Sequence, residues 1–302
     1  MRLIAGTLTD VPFSWNPVDD LSQLFTYQFM RSAYLAGTAT AIVAGVVGYF
    51  VVLRGLSFAG HSLSLMGFAG ATGARVAGVD PLAGLLLVDG AGALLIGALA
   101  RRPRGRDVVV GIVLTGTLGL GLLFLRLSRA GEALPVLVGD VLGISATEVT
   151  IVEAAAAVIV VLVAVAFRPL LLSSVDEEVA EARGVPTRAM SLLLLLILAA
   201  TTAVATPVVG VLLTFSLLVA PAATASLISG RPPLAVGLSI ALGVLYTWIG
   251  LGVSYWVDMP PSVFVTGMAF VVYVGTRAAG TPALRRGAAA PRPATVSSDF
   301  VG

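Results

Sequence analysis

Few side chains in this sequence can do chemistry. His61 is the single histidine among 302 residues, there is no cysteine, and all 18 basic residues are arginine. Without lysine the chain cannot build a P-loop, whose lysine reaches the nucleotide phosphates. Without cysteine it has no thiolate metal site, disulfide or cysteine nucleophile. One histidine cannot supply a multi-imidazole zinc site from a single copy. Inside the apolar runs, His61 and Asp89 remain. A neutral imidazole binds divalent transition metals. A carboxyl midway along an apolar run, here in Leu-Val-Asp-Gly, is expensive and therefore a functional candidate. Each residue also has a plainer reading. His61 can sit near the cytoplasmic membrane surface, bonded to a neighbour, and Asp89 can be a protonated carboxyl shared between helices.

The elements that must position these groups are membrane helices. Hydrophobic residues make up 58% of the chain and charged ones 11%, with a mean hydropathy of +1.01, against roughly 25% charged residues in a soluble domain. An ordinary soluble enzyme is excluded. Apolar runs between Gly, Pro and charge breaks predict an all-α, polytopic bundle of about nine spans. They fall at 32–53, 57–78, 82–100, 108–125, 150–167, 190–206, 208–228, 234–256 and 262–277. The second is the most polar, holding His61, several serines and Arg75. The sixth and seventh are parted at Thr206-Pro207, where one long kinked element is the alternative.

Arginine asymmetry orients the bundle. With nine spans and the N-terminus outside, the inside loops hold Arg54, Arg101, Arg102, Arg104, Arg106, Arg168, Arg183, Arg188, Arg231, Arg277, Arg285, Arg286 and Arg292. Only Arg2, Arg31, Arg75, Arg126 and Arg129 lie outside. The C-terminus is therefore expected in the cytoplasm. These arginines report orientation, not nucleic-acid binding. Residues 1–27 lack the basic start and apolar run of a signal peptide. Phe13 and Trp15 predict an extracytoplasmic interfacial segment there. Residues 28–277 form the membrane domain, and 278–302, rich in Ala, Pro and Arg, read as a disordered cytoplasmic tail. Glu153 is expected at the outer interface, Arg75 snorkels, and Tyr255 and Trp256 suit an outer aromatic belt. Glycines at 67, 70 and 73, at 90, 92 and 97, and at 116, 119 and 121 predict close helix packing, with a small-residue pathway lining as the alternative.

The long cytoplasmic loop 168–190 carries its own pattern. Ser174 is placed to cap a short helix whose first turn holds Asp176, Glu177 and Glu178, where the helix dipole favours acids. Ala180 and Ala182 keep it slim, Arg183 stands near its end, Gly184 terminates it and Pro186 blocks continuation. This describes either a solvated connector or a rigid peg that docks into a partner.

Several segments together resemble the permease subunits of bacterial ABC importers for manganese, zinc and iron. Val175-Asp176-Glu177-Glu178-Val179-Ala180-Glu181-Ala182-Arg183-Gly184-Val185-Pro186 looks like the family's ATPase-coupling segment. Leu53-Arg54-Gly55-Leu56-Ser57-Phe58-Ala59-Gly60 resembles the turn after its first span. Asp107-Val108-Val109-Val110-Gly111-Ile112 resembles the start of its fourth, and Gly139-Asp140-Val141-Leu142-Gly143-Ile144-Ser145 the segment before its fifth. Val208 to Leu213, then Leu218 and Pro221 to Ala225, resemble its late region. The resemblance implies separate ATPase subunits that contact Asp176, Glu178, Ala180, Ala182, Gly184 and Pro186. It also implies an extracytoplasmic metal-binding protein, and a permease homodimer or heterodimer in the lipid bilayer. A divalent metal is the expected cargo, with no permanently bound cofactor.

Family members carry an acid or His on the second span and a His four residues later, on one helix face. Here these positions are His61 and Leu65, with Met66 turned elsewhere. Val204 and Tyr246 stand where relatives have later carboxylates. His61 and Asp89 are the ligand candidates that remain, and a permease with altered, non-metal cargo is the competing reading. A channel or secondary carrier would give the acidic helix no task. A membrane enzyme would need converging catalytic groups, and the spans hold no carboxylate pair and no Ser-His-Asp set.

Overall fold

The computed structural model describes residues 27–100, 105–127, 144–257 and 259–280. The expected outer segment 1–27, apart from Tyr27, the tail beyond Gly280 and the segment 139–143 lie outside them. The described elements are all helical: α1 Gln28–Leu53, α2 Ser57–Ala77, α3 Pro81–Leu99, α4 Arg106–Leu127, α5 Ala146–Val175, α6 Glu177–Ala182, α7 Thr187–Ile228, α8 Pro232–Val257 and α9 Pro261–Ala278. Seven of them are long and apolar enough to cross a membrane. α2 falls outside that seven, in keeping with its serines, His61 and Arg75.

Local chemistry accounts for the starts and stops. Asp80 caps α3 by accepting from Leu82 N at 2.8 Å, with Pro81 in the first turn, where its missing N–H costs nothing. Ser145 and Glu148 close a reciprocal capping box at the head of α5. α5 then runs past its expected end, through Pro169, to Val175. The proline keeps helical φ, and Ser173 and Ser174 bond to the Leu170 carbonyl at 3.1 and 2.5 Å. The expected loop 168–190 thus shrinks to the segment around α6.

In lipid, helices associate through packing and hydrogen bonds, not through expulsion of water. α1 and α7 form the centre: 72% of each one's most apolar stretch is buried, against 11% for α4 and α9, which lie at the periphery. α2 and α3 run antiparallel at close range. A Cβ on Gly70 would collide with the Gly84 backbone, and one on Gly67 would lie 2.7 Å from Leu85.

α7 holds 42 residues. As a straight helix it would measure about 63 Å, twice the roughly 30 Å of hydrocarbon. It folds back on itself at Gly210, where φ is 79° and ψ 162°, a conformation open to glycine and strained for any other residue. The sequence pattern placed this break at Thr206-Pro207. Both residues stay helical, because proline's fixed φ suits a helix and Thr206 donates to the Thr202 carbonyl at 2.7 Å.

The reversal follows from what each end of α7 touches. α1 and α8 are antiparallel, with Gly37 facing Thr247 and Leu251, and Gly45 facing Ile240. Leu53 and Pro232 are therefore level. Ile228 precedes Pro232 by four residues, and Ser191 receives a hydrogen bond from Arg54 at 2.8 Å. Both ends of α7 thus lie at the same end of the bundle. Its two limbs converge on Gly60, where a Cβ would lie 2.8 Å from Leu218 and 3.8 Å from Leu198.

Candidate functional site

His61 sits one turn into α2, half-buried, its ring centroid 4.7 Å from that of Phe215 on the second limb of α7. Its Nδ1 is buried without a hydrogen-bond partner among the described residues, and the same holds for the hydroxyl of Ser62 beside it. Leu65, one turn on, is also half-buried, so the face that would carry an i, i+4 ligand pair holds one imidazole and one isobutyl group. Met66 is fully buried, with its sulfur packed at Gly92 of α3, as the sequence led us to expect.

Asp89 is fully buried where α3 meets α2 and α7. Thr202 donates to its Oδ2 at 3.1 Å. Gly67 lies beside the carboxyl, where a Cβ would come 3.3 Å from Oδ2. Oδ1 has no partner among the described residues. His61 lies six residues before Gly67, about 9 Å lower on α2 and on another face. The structure therefore does not bring His61 and Asp89 together in one chain. No group of three or more His, Asp or Glu side chains suited to a metal occurs among the described residues. Val204 and Tyr246, the positions where the family resemblance implied carboxylates, are buried apolar and phenolic core.

At the opposite extreme of polarity is α6. Its cap is Asp176, accepting from Val179 N at 2.9 Å, and not Ser174, which belongs to the last turn of α5. Glu177 and Glu178 fill the first turn, as the pattern predicted. At the far end Gly184 takes φ 78°. Val185 N donates to Ala180 O at 3.0 Å and Gly184 N to Glu181 O at 2.9 Å, the paired bonds of a Schellman ending. Thr187 at the head of α7 donates to Glu181 Oε1 at 2.7 Å. Ala180 is buried against the bundle, while Asp176, Glu178, Ala182, Gly184 and Pro186 are exposed. Five of the six predicted contact residues are thus exposed, and the sixth anchors the helix.

Sequence reasoning missed Arg54 as more than an orientation marker. It closes the end of α1 and donates from all three guanidinium nitrogens: Nε to Ser174 at 2.7 Å, Nη1 to Ser191 at 2.8 Å and Nη2 to Ser173 at 2.5 Å. Burial is the largest influence on this guanidinium and lowers its pKa. Glu177 pulls the other way, and Arg106 adds to the lowering. Arg106 donates to the carbonyls of Arg54 and Gly55 at 3.2 and 3.3 Å. The three serines lie 119, 120 and 137 residues away in sequence, so no local pattern could have paired them.

The described residues thus form a polytopic helical bundle with a short, firmly capped helix between α5 and α7. The chain belongs to the ABC 3 transport family, whose model matches residues 26–279, and it is a multi-pass permease of the bacterial plasma membrane. It is 28% identical over 254 residues to the manganese transport system membrane protein MntC of Halalkalibacterium halodurans, covering 83% of this chain and 87% of that one. It is 28% identical over 240 residues to the manganese import system permease protein ScaB of Streptococcus parasanguinis, covering 79% and 85%. Among solved structures it resembles PsaBC from Streptococcus pneumoniae, described in complex with Fab, at a TM-score of 0.80 and 26% identity over 89% of this chain and 97% of that one. A putative metal-chelate type ABC transporter in an inward-facing conformation shares the fold, at a TM-score of 0.69 and 18% identity.

Proposed function

We propose that this chain forms the translocation pathway of an importer for a divalent metal ion, with manganese first among the candidates. The match to the transport family along nearly the whole bundle, together with relatives named for manganese import, carries this reading. In it the chain crosses the membrane nine times, α2 and each limb of α7 counting as one crossing. The N-terminus lies outside and the C-terminus in the cytoplasm. The arginine-rich end bearing α6 faces separate ATPase subunits, which hydrolyse ATP. An extracytoplasmic binding protein delivers the metal, and two permease chains enclose the route.

His61 is the pathway group in this reading. Its unpartnered ring nitrogen is a donor for a passing cation, and a transit site needs only weak binding so that the ion can leave. Asp89 contributes as a neutral or metal-facing carboxyl at the α2–α3–α7 contact. A specific observation favours a second reading, altered cargo: Leu65 stands at the expected second histidine, and His61 and Asp89 do not converge within one chain.

Metal uptake in a strain lacking other manganese and zinc importers, with the chain expressed beside its ATPase and binding protein, tests the proposal. Accumulation of radiolabelled manganese that depends on all three components supports it. No metal-dependent uptake shifts the reading to another cargo.

A further inference from the structure

Arg54 occupies a position that its role as an orientation marker does not explain. Its side chain reaches both helices that hold α6: α5, which enters it, through Ser173 and Ser174, and α7, which leaves it, through Ser191. Its backbone forms the α1–α2 turn, fastened by Arg106. Seven residues further on is His61, and Gly60 beside it is where both limbs of α7 converge. Every partner of the guanidinium is a neutral hydroxyl. The acid whose charge acts on it is Glu177, the first residue of α6.

A planar fork with fixed donor directions holds three partners in one geometry, which a flexible ammonium cannot do. A push on α6 moves the last turn of α5 and the first turn of α7. With Arg54 in place, neither moves without the turn that carries His61. We propose that Arg54 is a positioning residue for coupling: it ties the ATPase-docking helix to the start of α2, so that ATPase movement reaches the pathway around His61. This rests on the importer reading above and assigns the junction through which its energy passes.

The test uses the full complex with its ATPase, reconstituted in proteoliposomes, and reads manganese taken up per ATP hydrolysed. Arg54→Ala is expected to keep hydrolysis within about twofold of native and to lower uptake per ATP at least tenfold. Arg54→Lys should recover part of that ratio, since it restores the charge but not the fork. If Arg54→Ala fails to assemble, the Ser173→Ala, Ser174→Ala, Ser191→Ala triple variant takes its place, with the same expected fall. A purely structural role would lower uptake and hydrolysis together and leave the ratio at its native value, which overturns the proposal. Gly184→Pro serves as the control. If it lowers the ratio while the Arg54 and serine variants do not, only this proposal fails. If it too leaves the ratio native, α6 is not the docking element, and the proposal falls with that reading.

Discussion

The two polar regions of this protein are built on opposite plans. Around α6 the polar groups are paired. Asp176 caps the helix, Gly184 and Val185 close it, Thr187 holds Glu181, and Arg54 spends its three nitrogens on three serines. At His61 and at Asp89, which lie apart, pairing is incomplete, although Thr202 donates to Asp89 Oδ2. His61 Nδ1, the Ser62 hydroxyl and Asp89 Oδ1 are buried and lack partners among the described residues. A buried polar atom left unpaired costs about 1–3 kcal/mol, and the hydroxyls of Thr40 and Ser239 carry that cost elsewhere in the bundle too. The fully paired region is suited to pass on force without deforming. In the importer reading, the unpartnered His61 Nδ1 is the atom a passing ion would complete.

The sharpest way to break this contrast is at Gly184. Proline there cannot adopt φ 78°, so the Schellman ending is lost and α6 no longer stands rigidly. Uptake should fall more than tenfold, while the protein still inserts and the complex still hydrolyses ATP. Reversing the charges of Asp176 and Glu178 should act in the same direction, because the cap and first-turn acid are lost together. Normal pumping by either variant, measured as metal uptake, would make α6 a mere connector.

On the unpaired side, His61→Ala should reduce manganese uptake about tenfold or more with expression unchanged. If the imidazole only packs on Phe215, uptake will stay near native and thermal stability will drop slightly. Leu65→His sharpens the comparison further by restoring a second imidazole one turn away. It should tighten metal binding and shift preference towards zinc, read by competition between the two ions during uptake. Unaltered selectivity would remove the α2 face from the pathway.

The smallest effect is expected at the Asp89 contact. Thr202→Val removes a hydroxyl that donates across helices, and such bonds in membranes average about 0.6 kcal/mol. Melting in detergent should shift by a degree or two, with uptake nearly unchanged. A large loss of uptake from this variant would show that the Thr202 bond itself, and not only the Asp89 carboxyl, is needed for transport.

Much of the fold was legible because lipid imposes length and hydropathy on each element. The runs at 32–53, 57–78 and 82–100 match α1, α2 and α3 to within a few residues, and the Asp-Glu-Glu to Gly184 pattern located α6. The reversal in α7 was legible as a break but misplaced by three residues. Proline was the louder signal, and nothing local marks Gly210 among 34 glycines as the one needing positive φ there. The Arg54 junction was not legible at all, since it joins serines from two helices more than a hundred residues away in sequence. His61 and Asp89 could be nominated by cost alone, but only packing shows that they face different neighbours.

The central claim is that this bundle moves a metal ion inward at the expense of ATP hydrolysed by another chain. Proteoliposomes holding the permease with its ATPase and binding protein test it most directly. The account predicts manganese accumulation that requires ATP on the face bearing α6 and vanishes when the ATPase is inactivated. Accumulation independent of the ATPase, or none at all with manganese or zinc while ATP is hydrolysed, would contradict it.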